Sequence, residues 1–500
     1  MPAPIRVVIA AVFLGALVPV RGSAQASPYI PLDDPRLPLI EHLIARGDID
    51  DPSPMIRPFR RADAARVLAA ADSTGASSLV HALRDAFTDP ADQNSWRVAV
   101  RGGAQAYSHI RRDVLHPLGP DGVRPYADLM GEATFGPFAL VSRPAAEPRI
   151  VDDPEWPGRR DLTLAWRMIE AYASAQFKYG SVFYGQMDRN WGPVGIGGIG
   201  LSNYGYSEVE SGFDIGTRTL RLTTLARPLE DEDSLGNRVH RYFFAHRLGI
   251  QPSRRLSLGL WETAVLAGVD REFDGRFRNP LSLLLLADQF GLGLDGNVMI
   301  GIDASWRMTG RTTVQAQIAI DDLQYEETSG PQRYPNRWAF TVSASGPLGD
   351  RVGWRALYTQ ASSLAFRTIN SFENLTDAGV GIGRNFSDQD QTTLTVSVPY
   401  RVSWLLTPEL TLLRQGEGTI DAPFPTPSEA GSTPQLFIGV VERTWRAALG
   451  VSGRQGPLDL VANAGFHHVV NADHIEGRTV NRFEGRLQAT LGIGRRGVLQ

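Results

Sequence analysis

The sequence contains no cysteine, so it has no means to build a disulfide framework or a thiolate metal site. It has no positive excess either. Its 50 Lys and Arg stand against 54 Asp and Glu, and a formal net charge of −4 argues against a nucleic-acid partner. Long apolar runs are missing beyond the first 26 residues. The next longest, Leu283 to Ala287, falls far short of the roughly 20 residues a spanning helix needs. A membrane crossing by this chain is therefore a crossing by strands. There is no Walker A phosphate loop and no Gly-x-Ser-x-Gly elbow. Gly195-x-Gly197-x-x-Gly200 and Gly291-x-Gly293-x-x-Gly296 match the dinucleotide fingerprint. Neither follows a strand and opens a helix, so both read as loop glycines.

What is present is length, with 500 residues, and many breakers, with 51 Gly and 33 Pro. Both suit hairpins and a large barrel better than long helices. Residues 1–26 read as a secretory signal: Arg6, the apolar run Val7 to Val20, and the cleavage site Ala24-Gln25-Ala26. Residues 27–93 have helical periodicity. Leu39, Ile40, Leu43 and Ile44 share one face over Pro38 to Ala45. Arg60 to Ala71 and Ser77 to Phe87 repeat the pattern, with Pro and Gly between. Such a small bundle buries a thin core and is expected to pack on something larger, beneath or inside a barrel.

From Asn94 to residue 500 the period becomes two. Val298, Ile300, Ile302, Ala304 and Trp306 alternate with Met299, Gly301, Asp303 and Ser305. Val314 to Asp321 and Leu394 to Trp404 behave alike. One face is apolar and the other polar, as strands place them. The strands are long and carry aromatics near their ends (Trp306, Trp338, Tyr400, Trp404), as an interfacial girdle does. Short turns such as Gly136-Pro137 and Gly456-Pro457 alternate with long loops. This reading predicts eighteen strands in a transmembrane antiparallel β-barrel, a mainly β fold. It includes strands at 181–190, 197–207 and 212–227. The last strand is placed at 482–493, and the chain ends Gly497-Val498-Leu499-Gln500, without the terminal aromatic common in outer-membrane proteins.

One stretch is recognisable. Gly185-Gln186-Met187-Asp188-Arg189-Asn190-Trp191-Gly192-Pro193, followed by Leu201-Ser202-Asn203, resembles the capsule assembly Wzi family. Phe244 to Leu248, Leu256 to Glu262, Phe277 to Leu281, Asn297 into Asp303 to Trp306, and Asp321-Asp322 extend the resemblance over about 180–325. It implies an eighteen-stranded outer-membrane protein with a periplasmic helical bundle. It also implies a non-enzymatic surface lectin that holds capsular or exopolysaccharide. It supplies no sugar-binding positions.

Candidate site residues therefore come from chemistry. Asp188, Arg189 and Trp191 sit near a strand's outer end: an aromatic face for a sugar ring and a guanidinium for an anionic glycan. The more ordinary reading of the same three is a lumenal ion pair of Asp188 with Arg189, with Trp191 plugging the barrel. Trp261 and Glu262 carry the same ambiguity. The run Glu230-Asp231-Glu232-Asp233 is a cation site or a solvated loop. Tyr325, Tyr334, Phe372 and Phe424 on outer loops stack on sugars or close the barrel mouth. His467 and His468 point to opposite faces of a strand. His240 and His246 lie roughly 20 Å apart along one. No serine, histidine or carboxylate spacing supports a hydrolase, so no catalytic residue, metal or cofactor is expected. The expected partners are surface polysaccharide and outer-membrane lipid, with the chain a monomer. A porin or solute channel is the alternative.

Overall fold

The computed structural model describes residues 26–72, 77–88, 94–273, 296–322 and 334–499. The signal segment, save Ala26, lies outside these residues, as do Phe277 to Ala287, Gly291, Gly293 and Tyr325.

Alternation builds the strands. In β10 (Gly296–Arg307), Ile302 and Trp306 are exposed outward while Met299, Gly301, Asp303 and Ser305 are buried inward. The strands before it are β1 (Ser95–Tyr107), β2 (Gly122–Phe135), β3 (Phe138–Ala146), β4 (Trp166–Phe177) and β5 (Gly180–Gln186). Next come β6 (Val209–Gly216), β7 (Leu220–Pro228), β8 (Asn237–Ser253) and β9 (Leu256–Gly268). After it come β11 (Thr313–Asp322), β12 (Arg337–Leu348), β13 (Val352–Ala361) and β14 (Gln389–Tyr400). The last are β15 (Trp404–Gln415), β16 (Glu442–Gln455), β17 (Leu458–Val470) and β18 (Thr479–Val498). Each pairs antiparallel with its neighbours, and β18 returns to β1 with Ser95 opposite Val498. The result is a closed barrel of 18 strands with no open edge. Its outward face carries exposed Val98, Leu129, Ile318, Leu410, Trp445 and Leu491, the apolar band of an outer-membrane protein. One end has only short turns, at 136–137, 349–351 and 456–457 among others. The other end carries the long connections.

Two expected strands are corrected. Residues 197–207 do not join the barrel, and residues 212–227 are two strands, β6 and β7. Gly216, at φ 139°, and Thr217 make the missed turn; Thr217 Oγ1 accepts the N–H groups of Thr219 and Leu220. No Asn-Gly or Pro marks it. The two departures cancel in the count. Elsewhere, Arg401 to Ser403 form a turn rather than the end of a strand, and β18 is longer than expected.

Helices α1 (Leu37–Ala45), α2 (Arg61–Asp72) and α3 (Ser78–Phe87) form where the periodicity placed them. Pro38 opens α1, where its missing N–H costs nothing. Ile40, Leu43, Leu68, Leu83 and Phe87 pack together with Leu405 of the barrel. The bundle docks at the short-turn end, which in outer-membrane barrels faces the periplasm. The Arg46 guanidinium donates to the carbonyls of Asp350 and Val352 at 2.6 Å, His42 Nδ1 lies 2.7 Å from Ser397 Oγ, and Arg307 pairs with Asp50 at 2.7 Å.

Inward-folded segments occupy part of the lumen. After β5 the chain turns inward, and Asn190–Trp191 pair antiparallel with Ile56–Arg57 of the N-terminal segment. Gly198 passes so close that an added Cβ would sit 1.9 Å from the Trp191 carbonyl oxygen. The segment 362–388 folds in beside it. Ser202 N donates to Ile382 O at 3.0 Å, and buried Arg384 donates to Thr359 Oγ1 at 2.6 Å and Gly197 O at 2.8 Å. Trp191, Ile199, Leu201, Trp261, Phe366 and Ile382 form an apolar core inside the barrel. Such a core is the reverse of the water-filled lumen of a porin.

Candidate functional site

Above this plug, at the long-loop end, lies a cleft of about 470 Å³. Its walls come from the loop around Glu155 and Trp156, from Asp188 and Arg189, and from Ser202 to Glu210. Arg227 to Glu230 and Asp377 to Ile382 complete them. The volume falls within the usual range of small-molecule sites.

Each wall is held by named bonds. Glu155 Oε1 accepts from the Tyr204 hydroxyl at 2.9 Å and lies 3.0 Å from Arg111 Nε. Tyr206 donates to Asp153 at 2.6 Å and meets Trp156 edge-on, with ring centroids 4.7 Å apart. Behind Tyr206 stands the Arg112 guanidinium, 4.1 Å from the ring centre, which also donates to the Tyr204 carbonyl. Arg189 pairs with Glu210, not with its neighbour Asp188, and lies over the Phe183 ring at 4.4 Å. Arg227 lies 3.7 Å from Asp377, and Asp377 accepts the Glu230 N–H at 2.9 Å.

The electrostatics are one-sided. Both guanidiniums on the lining are paired. The carboxylates of Asp188, Glu208 and Glu230 have no ion pair among the described residues. Burial pushes Asp188 up to about 6, with Arg112 and Arg167 opposing it. Burial, and then the like charge of Asp377, push Glu208 up to about 7. Polar atoms are also left over: Glu155 Oε2, Arg227 Nε and Trp156 Nε1 have no hydrogen-bond partner among the described residues.

The trio Asp188, Arg189 and Trp191 is parted. Asp188 and Arg189 line the cleft. Trp191 is 2% exposed in the lumenal core, its carbonyl accepting from Gln317 Nε2 at 2.9 Å, so it offers no face to a ligand. Trp261 is likewise buried in that core, and Glu262 faces the opposite side, 2.8 Å from His246 Nδ1. Of the acidic run only Glu230 reaches the cleft. Asp231 pairs with Arg238 at 2.6 Å and Glu232 with Arg241 at 2.6 Å. Among the described residues no three His, Asp or Glu side chains converge to hold a metal. Tyr334 and Phe424 pack on each other, 5.0 Å between centroids, away from the cleft, and Phe372 contributes its carbonyl to Arg241. His467 is buried against Arg446 while His468 is exposed, on opposite faces as expected. Glu155, Trp156, Glu208, Arg227 and Asp377 escape a sequence reading because they lie on segments far apart in the chain, Arg227 on β7 and the others on three connections. The Trp156-Pro157-Gly158 turn in a long loop is the one local signal.

No protein-family model and no curated protein matches the sequence. Among solved structures the chain is similar to Wzi of Escherichia coli, an outer-membrane protein involved in group 1 capsule assembly and described as a carbohydrate-binding β-barrel. The TM-score is 0.62 at 14% identity, over 94% of this chain and 99% of that one. Pseudomonas aeruginosa OprD aligns with a TM-score of 0.44 at 10% identity, over 80% of this chain and 95% of that one. Acinetobacter baumannii OccAB2 aligns at 0.44 and 10%, over 81% and 98%. In architecture this protein is a Wzi-like outer-membrane β-barrel of 18 strands.

Proposed function

We propose that the protein is a non-enzymatic glycan-binding barrel that holds capsular or secreted polysaccharide at the outer surface. The observation that carries this reading is the apolar core in the lumen beneath a cleft at the long-loop end, whose lining combines charged side chains with an aromatic ring. A packed core conducts nothing, which weighs against the porin or solute-channel alternative. The cleft supplies what sugar recognition uses: orienting carboxylates and guanidiniums beside an aromatic ring. On this reading Asp188 and Arg189 contact the glycan, and Trp156 supplies the aromatic face. The resemblance around Asp188 to Pro193 and the fold of Wzi support membership of that family.

The same reading takes residues 1–26 as the export signal and 27–93 as a periplasmic bundle. It takes residues 94–500 as a monomeric barrel in lipid. The test is retention of polysaccharide from the native organism by the refolded protein, with bilayer recording alongside. Retention of one polymer, recovered uncut and weakened by Asp188→Asn or Trp156→Ala, supports it. Large steady conductance without retention overturns it in favour of a channel.

A further inference from the structure

The lining of the cleft carries six carboxylates against two guanidiniums. Counting only groups without an ion pair sharpens the contrast. Asp188, Glu208 and Glu230 hold no ion pair among the described residues, although Arg112 and Arg167 offset part of the charge at Asp188, whereas Arg189 and Arg227 are engaged by Glu210 and Asp377. The basic residues behind the wall are occupied too: Arg111 by Glu155, and Arg112 by the Tyr204 carbonyl.

A second observation points to a ligand. Among the described residues, Glu155, 6% exposed, leaves Oε2 without a hydrogen-bond partner, and Arg227, 9% exposed, leaves Nε without one. Both side chains line the cleft. A buried acceptor and a buried donor left open together call for an occupant that both donates and accepts. Sugars with amino and hydroxyl groups do both. A metal ion does not fit, since no three ligating side chains converge among the described residues.

On the glycan-binding reading above, we infer that the cleft selects a glycan bearing protonated amino groups and discriminates against one built of uronic acids. An ammonium entering beside Glu208 and Glu230 relieves the repulsion between them and Asp377. A uronate entering there adds to it.

The experiment is titration of the refolded full chain in detergent at low salt with three size-matched probes. These are an oligomer of glucosamine, its fully N-acetylated counterpart and an oligoglucuronate. The glucosamine oligomer is expected to bind at least tenfold more tightly than the acetylated one, and the oligoglucuronate most weakly. Glu208→Gln and Glu230→Gln should each lower the preference for the amine several-fold. Glu476→Gln, an exposed carboxylate on a different outer hairpin, should leave it unchanged. Neither cleft carboxylate holds an ion pair, so both variants are expected to fold, and gel mobility of the unheated barrel checks this. Equal affinity for the amine and its acetylated form, or tightest binding of the uronate, overturns the charge selection while leaving glycan binding intact. Binding of none of the three, together with no retention of native polysaccharide, overturns both.

Discussion

Ile56 and Trp191 stand opposite one another in a two-residue antiparallel ladder, which joins the N-terminal segment to the inward-folded connection after β5. Gly192 N adds a bond to Met55 O at 2.9 Å, and Trp191 N one to Leu201 O at 3.0 Å. With segment 362–388, joined through Ser202 N to Ile382 O, the plug is therefore one hydrogen-bonded unit built from three distant parts of the chain. Removing residues 27–88 is expected to free the connection and open the lumen. Single-channel recording should then show conductance that the intact protein lacks.

Trp191→Phe and Trp191→Ala separate packing from binding. The ring fills the lumenal core, so the alanine variant is expected to lose about 3–5 kcal/mol of stability. The phenylalanine variant should lose less. Because the residue lies outside the cleft, glycan affinity of the folded phenylalanine variant should match the parent, whereas Trp156→Ala should weaken it about tenfold. Urea unfolding and glycan titration read the two effects apart.

Asp388 clamps an outer loop. Its carboxylate accepts the N–H groups of Gly418 at 3.0 Å, Phe437 at 2.5 Å and Ile438 at 2.9 Å. Charge-assisted bonds of this kind are worth more than neutral ones. Asp388→Ala should leave the barrel folded and release residues 416–441, which limited proteolysis would report as new cleavage confined to that loop. Unchanged resistance would mean that other contacts hold the loop.

Stability should depend on pH through the cleft. Burial raises the folded-state values of Asp188 to about 6, from 3.8, and of Glu208 to about 7, from 4.5. Arg112, Arg167, Arg143 and Asp33 surround the first; Asp377, Arg227 and Glu230 surround the second. Folding thus favours the protonated forms. The stabilisation is fully present below about pH 4 and is lost as pH rises through 6 and 7. It amounts to about 1–3 kcal/mol per group after allowance for partial solvent screening. Urea midpoints of the parent should fall between pH 5 and pH 8 by more than those of Asp188→Asn with Glu208→Gln. Parallel slopes would rule the two groups out as the source.

Local periodicity alone determined the class of structure. Period-two alternation in segments such as Val298 to Trp306 fixes which side chains face outward. The helical spacing of Leu39, Ile40, Leu43 and Ile44 fixes a helix, because both are properties of a few adjacent residues. The alternation of short and long connections then gives the barrel its two ends. What the periodicity could not decide is where the long connections go. Residues 197–207 read as a strand, yet their glycines allow a close approach to the Trp191 carbonyl, so the segment enters the lumen instead. The partners that matter there are far away in sequence: Ile56 for Trp191, Glu210 for Arg189, Asp377 for Arg227. Barrel closure brings them together. Charge pairing and burial, which depend on those distant neighbours, then made Trp191 part of the plug and left Asp188 unpaired on the cleft.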